Sequence, residues 1–214
     1  MNNHKHPDQS WLISYSAGAI GGGFALVLQA HLAVCERCRN QLLAADHVGA
    51  ELMVALGETP AAIGEPRAPN VSDLAPPTDS PVEWNNPSTD ISRFFDRYVG
   101  DHIDSLKWMF AGRGLKVCRL VEEGDERMWL LRAQAGTALP KHDHSGSELT
   151  LVLKGAYGCD ERIFEVGDIE DADDETTHQP IVTAAGECIC VAAVEGPLCF
   201  TDWLPRLVQP FMRI

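Results

Sequence analysis

Proline is gathered in one stretch of this chain, and that stretch limits what the rest can fold into. Seven of the 13 prolines among the 214 residues lie between residues 57 and 87. Proline lacks the amide hydrogen that helices and central strands need, so this density predicts an extended linker. We therefore expect a first domain over residues 1–57, a linker over residues 58–87 that can add a helix to the first domain, and a second domain over residues 88–214.

The residues before the linker have helical character. Glycine or proline punctuates residues 9–20, 24–34 and 36–56, and apolar residues recur at helical spacing in the last of these segments. A helical unit of this length is close to the size at which a hydrophobic core alone gives only marginal stability. A metal ion or another cross-link is therefore expected in it.

The residues after the linker change to strand-like patterns. A short helical patch over residues 91–99 leads into runs that are rich in β-branched residues and bounded by turns. The predicted strands cover residues 115–122, 127–133, 149–153, 156–159, 162–166, 179–182 and 187–194. Short antiparallel strands at this spacing favour a β-sandwich or barrel. The expected fold class is α+β with two domains, a small helical bundle followed by a β-barrel.

Charge and hydropathy exclude two kinds of partner. The chain has 17 basic and 31 acidic residues, a net charge of −14, so its surface repels phosphate and direct binding to nucleic acid is not expected. Residues 11–34 carry no Asp, Glu, Lys or Arg and are long enough to span a bilayer. The glycine triplet at residues 21–23 would break such a helix, so we expect two shorter helices and no membrane contact.

A first cluster of metal-ligand residues lies in the helical unit. His31, Cys35 and Cys38 are four and three residues apart, so a helix or helix-turn places all three on one face. Two thiolates and a neutral imidazole suit a tetrahedral zinc ion, which needs a fourth ligand. His6 or His4 can supply it, and we favour His6 because it immediately precedes the first helix. The alternative is that both cysteines are ordinary core residues.

A second cluster lies in the β-rich region. His142 and His144 are two residues apart, so on a strand they point to the same side, and Glu148 returns to that side on the same strand or beyond a turn. His178 would join them from another strand. Three imidazoles and one carboxylate suit zinc or another divalent transition metal. The alternative is four unrelated surface residues.

The remaining cysteines and acids give weaker signals. The chain has seven cysteines, an odd number, and no cleavable signal peptide, so we expect a reducing, cytoplasmic compartment. Cys188 and Cys190 face one side of a predicted strand, as a redox pair or as small core residues. The acidic residues 168–175 could bind a cation or a basic partner, but a solvated loop is expected.

Both clusters resemble known motifs. The order His6, His31-x3-Cys35-x2-Cys38, followed by a long helix, looks like the zinc-binding anti-sigma domain of bacterial transcription regulators. Residues 136–155 resemble the first motif of the cupin superfamily, whose fold is a jelly-roll barrel. The second cupin motif fits poorly, because His178 follows the nearest glycine by eleven residues. A zinc anti-sigma domain, a proline-rich tether and a cupin together resemble the ChrR-type anti-sigma factors.

The resemblance implies a regulatory function. In that family the first domain binds an extracytoplasmic-function (group IV) sigma factor and blocks its access to core RNA polymerase. The cupin is needed for release under singlet oxygen or organic peroxide, that is, under oxidative stress. The alternative is a metal-dependent cupin enzyme of the dioxygenase type with an accessory zinc module. Such an enzyme needs further polar groups for its substrate, and only Arg132, Lys141 and Tyr157, which no motif distinguishes, are available. No catalytic residues are predicted.

Overall fold

The computed structural model describes residues 5–56, 91, 102–123, 125–196 and 198–200, with the side chains of all but residues 121–123 and 198–200. The predicted linker and, apart from Ile91, the predicted helical patch lie outside the described residues. The domain boundaries therefore stay predictions.

Three helices form the first part of the described chain, as the sequence predicts. They are α1 (Gln9–Ser16), α2 (Gly22–Val34) and α3 (Glu36–Ala55). The carboxylate of Asp8 caps α1 by accepting a hydrogen bond from the Ser10 amide at 2.9 Å. Cys35 is both the C-cap residue of α2 and the N-cap residue of α3, and its thiol sulfur lies 3.5 Å from the Cys38 amide nitrogen. The tight connection between α2 and α3 is therefore made by a predicted metal ligand.

The second part is β-rich. Its strands are β1 (Met109–Gly112), β2 (Leu115–Glu123), β3 (Glu126–Ala133), β4 (His142–His144), β5 (Glu148–Lys154), β6 (Ala156–Cys159), β7 (Arg162–Glu165), β8 (Ile169–Ala172), β9 (Thr177–His178), β10 (Ile181–Val182), β11 (Cys188–Glu195) and β12 (Leu198–Phe200), after a 3₁₀ turn at Ile103–Ser105. A six-stranded sheet has the order β1-β2-β3-β11-β5-β8, and two three-stranded sheets have the orders β10-β6-β7 and β12-β4-β9. Every predicted strand overlaps an observed one, and the α+β class is confirmed.

The central strands of the six-stranded sheet are buried on both faces. Along β11, Cys188 and Cys190 join the cluster inside the barrel, whereas Ile189 and Val191 belong to the cluster that also contains Leu28 of α2. Strand side chains alternate between the two faces of a sheet, so helix α2 covers the outer face of the sheet. The helices and the barrel therefore share a hydrophobic core.

The expectation of a solvated acidic loop is wrong for its first half. Strand β8 (Ile169–Ala172) forms most of this half, and Asp168 and Glu170 are only 3% and 2% exposed. Both carboxylates have hydrogen-bond partners, Lys5 for Asp168 and Tyr157 for Glu170, which make their burial possible. Residues 173–175 are exposed, as the prediction requires.

The N-terminus of α2 is held by the sheet. Gly22 has a φ of +58°, a conformation that favours glycine, and a Cβ at Gly23 would lie 3.0 Å from Met128 Cβ. The close approach lets the Gly23 amide donate a hydrogen bond to the carboxylate of Glu126 on β3. Since the residue before α2 makes no side-chain cap, this carboxylate caps the helix and lies at the positive end of its dipole.

Among the described residues, none of the helices combines the length and the apolar character that crossing a membrane requires.

Replacing Glu126 with Ala should lower the free energy of unfolding by about 1 kcal/mol, the usual cost of losing a helix cap. Urea denaturation of the full chain measures this change. Glu161→Ala removes an equally acidic side chain from an exposed position in the β6–β7 turn and should change the free energy far less. Equal losses in the two variants would contradict the capping role of Glu126.

Candidate metal centres

The structure brings His6, His31, Cys35 and Cys38 together. Their ligand atoms all lie within 4.8 Å of one another. His6 Nδ1 lies 3.4 Å from each of the two sulfur atoms, and His31 Nε2 lies 3.3 Å from Cys38 Sγ. Donors about 2.0–2.3 Å from a tetrahedral zinc ion stand at similar separations from one another. The four residues fit a closed structural zinc site, and their assignment as ligands stays a prediction.

The electrostatics of this first centre also suit a cation. The hydrogen bond with Cys38 lowers the pKa of Cys35 to about 3, and the same contact raises the pKa of Cys38. A lowered pKa favours the thiolate form of Cys35, which is the form that binds a metal. Burial lowers the pKa of His6, which favours the neutral imidazole that metals bind.

His31 is oriented by the barrel. Its Nδ1 donates a hydrogen bond to the carbonyl oxygen of Gly167 at 2.8 Å. A carbonyl can only accept, so the proton of the neutral ring is on Nδ1 and the Nε2 lone pair faces the cysteines. A hydrogen bond of this kind to the second ring nitrogen is usual for histidines that bind a metal. The first centre is thus completed by the β7–β8 turn.

The second predicted cluster is also assembled, inside the barrel. His142 and His144 lie on β4, Glu148 begins β5 and His178 lies on β9. Their ligand atoms lie within 4.8 Å of one another. The Nε2 atom of His178 is 3.0 Å from that of His142 and from that of His144, and Glu148 Oε2 is 3.3 Å from His144 Nδ1. All four side chains are buried.

Two lone pairs in this second centre face each other. His142 Nδ1 donates to the Pro140 carbonyl at 2.9 Å, and His178 Nδ1 donates to the Glu170 carboxylate at 3.2 Å. In the neutral rings both Nε2 atoms then carry lone pairs, 3.0 Å apart. These lone pairs repel each other unless a proton or a metal ion lies between them, and, although burial opposes it, the hydrogen bond with Glu170 raises the pKa of His178. The donor set therefore fits a divalent transition metal, which three imidazoles and a carboxylate commonly bind.

Two of the three imidazoles of the second centre, His142 and His144, have lowered pKa values that suit metal binding. Burial lowers the pKa of His144 to about 4, and it also lowers the pKa of His142. Both rings are therefore neutral at neutral pH, and no proton has to be removed from them before a metal binds.

The sequence alone does not identify the residues that support the second centre. Glu170 on β8 accepts hydrogen bonds from His178 and, at 2.6 Å, from the Tyr157 hydroxyl. Thr150 donates to Glu148 Oε1 at 2.7 Å. One sequence signal for Glu170 was available: the apolar residues Ile169 and Ala172 flank Glu170 and Asp171, which is untypical of a solvated loop.

Cys188 and Cys190 point into the barrel with their sulfur atoms 3.5 Å apart. Both are buried. The hydrogen bond between the thiols and the burial of the site raise the pKa of Cys190 well above its usual value. A protonated thiol is a poor nucleophile, so this environment favours the packing alternative, and the redox role stays a prediction.

Helix α3 carries an exposed apolar stripe. Val48, Leu52 and the C-cap residue Leu56 are 60%, 59% and 75% exposed, and their spacing of four residues places them on one face. Leu43 is as exposed as Leu52, but nine residues separate the two, which puts it on the opposite face of the helix. The α3 stripe, defined by Val48, Leu52 and Leu56, is a candidate interaction surface.

Replacing both Cys35 and Cys38 with Ser should remove the metal of the first centre and destabilise the helices, because binding of a structural metal contributes directly to folding. A metal count and circular dichroism on the full chain measure both effects. His47→Ala changes an exposed histidine on α3 and should do neither. Retention of the first metal by the double serine variant would show that the ligand assignment is wrong.

Comparisons with known proteins match both parts of the chain. A family model described as the ChrR cupin-like domain matches residues 97–197. The anti-sigma-E factor ChrR of Cereibacter sphaeroides is 36% identical over 215 residues, covering 100% of each chain. The crystal structure of Rhodobacter sphaeroides SigE in complex with the anti-sigma ChrR matches with a TM-score of 0.68 and 32% identity, covering 90% of this chain and 99% of that one.

Proposed function

The chain belongs to the ChrR family of anti-sigma factors, and from this premise we propose that it binds and inhibits an extracytoplasmic-function sigma factor. The observation that carries the proposal is the α3 stripe, an apolar surface on the helix that begins beside the four candidate ligands of the first centre. Apolar residues exposed side by side on one helix face are typical of a protein interaction site. The matched solved structure is itself a complex of an anti-sigma factor with its sigma factor.

The first metal centre serves this function as a structural support. Zinc held by His6, His31, Cys35 and Cys38 would fix the junction between α2 and α3. Cys38 lies in the first turn of α3, so the bound metal would hold the beginning of the helix that presents the stripe. Such an anti-sigma factor works beside RNA polymerase, and the cytoplasm is therefore its compartment.

The barrel serves as the sensor in this proposal. A metal bound to His142, His144, Glu148 and His178, zinc or another divalent transition metal, would act there as a Lewis acid and as a structural centre. Imidazoles and thiols are oxidisable groups, and the barrel buries three of the former in this site beside the nearby pair Cys188 and Cys190. Their oxidation by singlet oxygen or peroxide would alter the barrel and release the sigma factor.

The enzyme alternative has less support. Of the polar side chains available for a substrate, Tyr157 donates a hydrogen bond from its hydroxyl to Glu170 at 2.6 Å. Arg132 pairs with Glu187 at 2.8 Å and with Asp104 at 2.9 Å. These groups are engaged in contacts that hold the barrel together, and the family's function is regulatory.

Leu52→Asp should weaken sigma binding about 30-fold or more, because a central apolar contact commonly contributes about 2 kcal/mol to a protein interface. Titration calorimetry with an extracytoplasmic-function sigma factor from the same host measures it, and both metal centres should stay loaded. Leu43→Asp is the matched control, equally exposed on the other face, and should bind nearly as wild type. Equal effects of the two changes would contradict the assignment of the stripe.

Glu148→Ala or His178→Ala should leave the sigma factor bound when oxidant is supplied, because release starts at or beside the metal of the second centre. A transcription reporter with measured protein levels detects this. His102→Ala changes an exposed histidine outside the site and should leave release intact. Release at the wild-type rate by both ligand variants would show that this centre has no sensing role.

A further inference from the structure

We propose that strand β8, with the turn before it, mechanically couples the two metal centres. This coupling segment, residues 167–171, contacts a ligand of the second centre on one face and the surroundings of the first centre on the other. The inference rests on the proposed function, since it gives the route by which a change in the barrel reaches the helices that hold the sigma factor.

The inner contact of the segment is made by Glu170. Its side chain is 2% exposed, and its carboxylate accepts the hydrogen bond from His178 Nδ1 at 3.2 Å. The Tyr157 hydroxyl holds the other oxygen of this carboxylate at 2.6 Å. Because both oxygens are engaged, a displacement of the His178 ring has to move Glu170 or break its hydrogen bond.

The outer contact is made by the next residue, Asp171, which alternation along the strand places on the opposite face. Its carboxylate accepts a hydrogen bond from the Asp8 amide at 2.8 Å and from Trp11 Nε1 at 3.1 Å. The Trp11 ring in turn stacks on Phe24 of α2, with centroids 5.0 Å apart. A shift of β8 is thus passed to α1 and α2.

The beginning of the segment reaches the first centre directly. The Gly167 carbonyl accepts the hydrogen bond that orients His31. The Ile169 amide donates to the Lys5 carbonyl at 3.2 Å, and Asp168 accepts from the Lys5 amide at 3.0 Å. Lys5 and Asp8 flank His6 within three residues of chain, so the segment fixes the backbone around one ligand and the ring of another.

The position of β8 in the sheet makes it suited to this role. It is the last strand in the order of the six-stranded sheet and pairs there with β5. An edge strand can shift without disturbing two neighbouring strands, and the partner on its other side here is the segment around Lys5. Two sites that bias one element are coupled, and the coupling must act equally in both directions.

The test measures the metal affinity of the first centre in two proteins, one with the second centre intact and one with the second centre disabled. Cobalt(II) in the first centre gives a near-ultraviolet cobalt–thiolate band, whereas the four ligands of the second centre include no thiolate. Cobalt affinity of the first centre is measured against a competing chelator in the full chain, with and without the double change His142→Ala and His144→Ala. We expect the affinity to differ about five-fold or more.

The same comparison is repeated with Asp171→Asn, which keeps the size of the side chain but can accept only one of its two hydrogen bonds. In this background the logarithm of the ratio between the two cobalt affinities, with the second centre intact and disabled, should fall to less than half of its wild-type value. Trp11→Phe, which keeps the stacking ring, should have the same effect. Asp174→Asn removes an exposed acid from the same run and should preserve the difference.

A difference that persists unchanged in both Asp171→Asn and Trp11→Phe, or its absence in the wild-type background, would overturn the coupling. These measurements use no sigma factor, so their failure is distinguishable from failure of the proposed function, which the α3 stripe variants test.

Discussion

The packing of helix α2 on the outer face of the six-stranded sheet is the interaction on which the rest of the structure depends. Leu28 and Leu32 of the helix share one buried cluster with Leu149 and Val191 of the sheet. A helical unit of this size has little core of its own, and the sheet supplies the missing apolar surface. The barrel, for its part, has an outer face that would otherwise expose its aliphatic side chains to water.

This packing also explains where the metal centres lie. The helix rests on the sheet so closely that Glu126 caps its beginning and Gly167 orients His31 near its end. The first centre is therefore built at the interface of the helices and the barrel. A metal bound in this position would respond to both parts, which the proposed control of the anti-sigma factor by the barrel requires.

Much of this arrangement can be predicted from local sequence signals, and the parts that cannot depend on contacts distant in the chain. Ligand spacing brings together His31, Cys35 and Cys38 because a helix turn fixes their geometry. Glu170 has no spacing signal of this kind, since its partner His178 lies on a strand of a different sheet and the two meet only when the barrel closes. A local sequence signal did exist for the docking of α2 on the sheet. Residues 149–153 are almost continuously apolar, a pattern typical of strands covered on both faces.

The central claim is that the helices and the barrel form one cooperative structure around their shared core. Its most direct test is urea unfolding of the full chain with cobalt in the first centre. Two signals monitor the same titration, the cobalt–thiolate band for the first centre and far-ultraviolet circular dichroism for the sheet. The account predicts a single transition with the same midpoint for both signals. Loss of the cobalt band at clearly lower urea, with the sheet still intact, would contradict it.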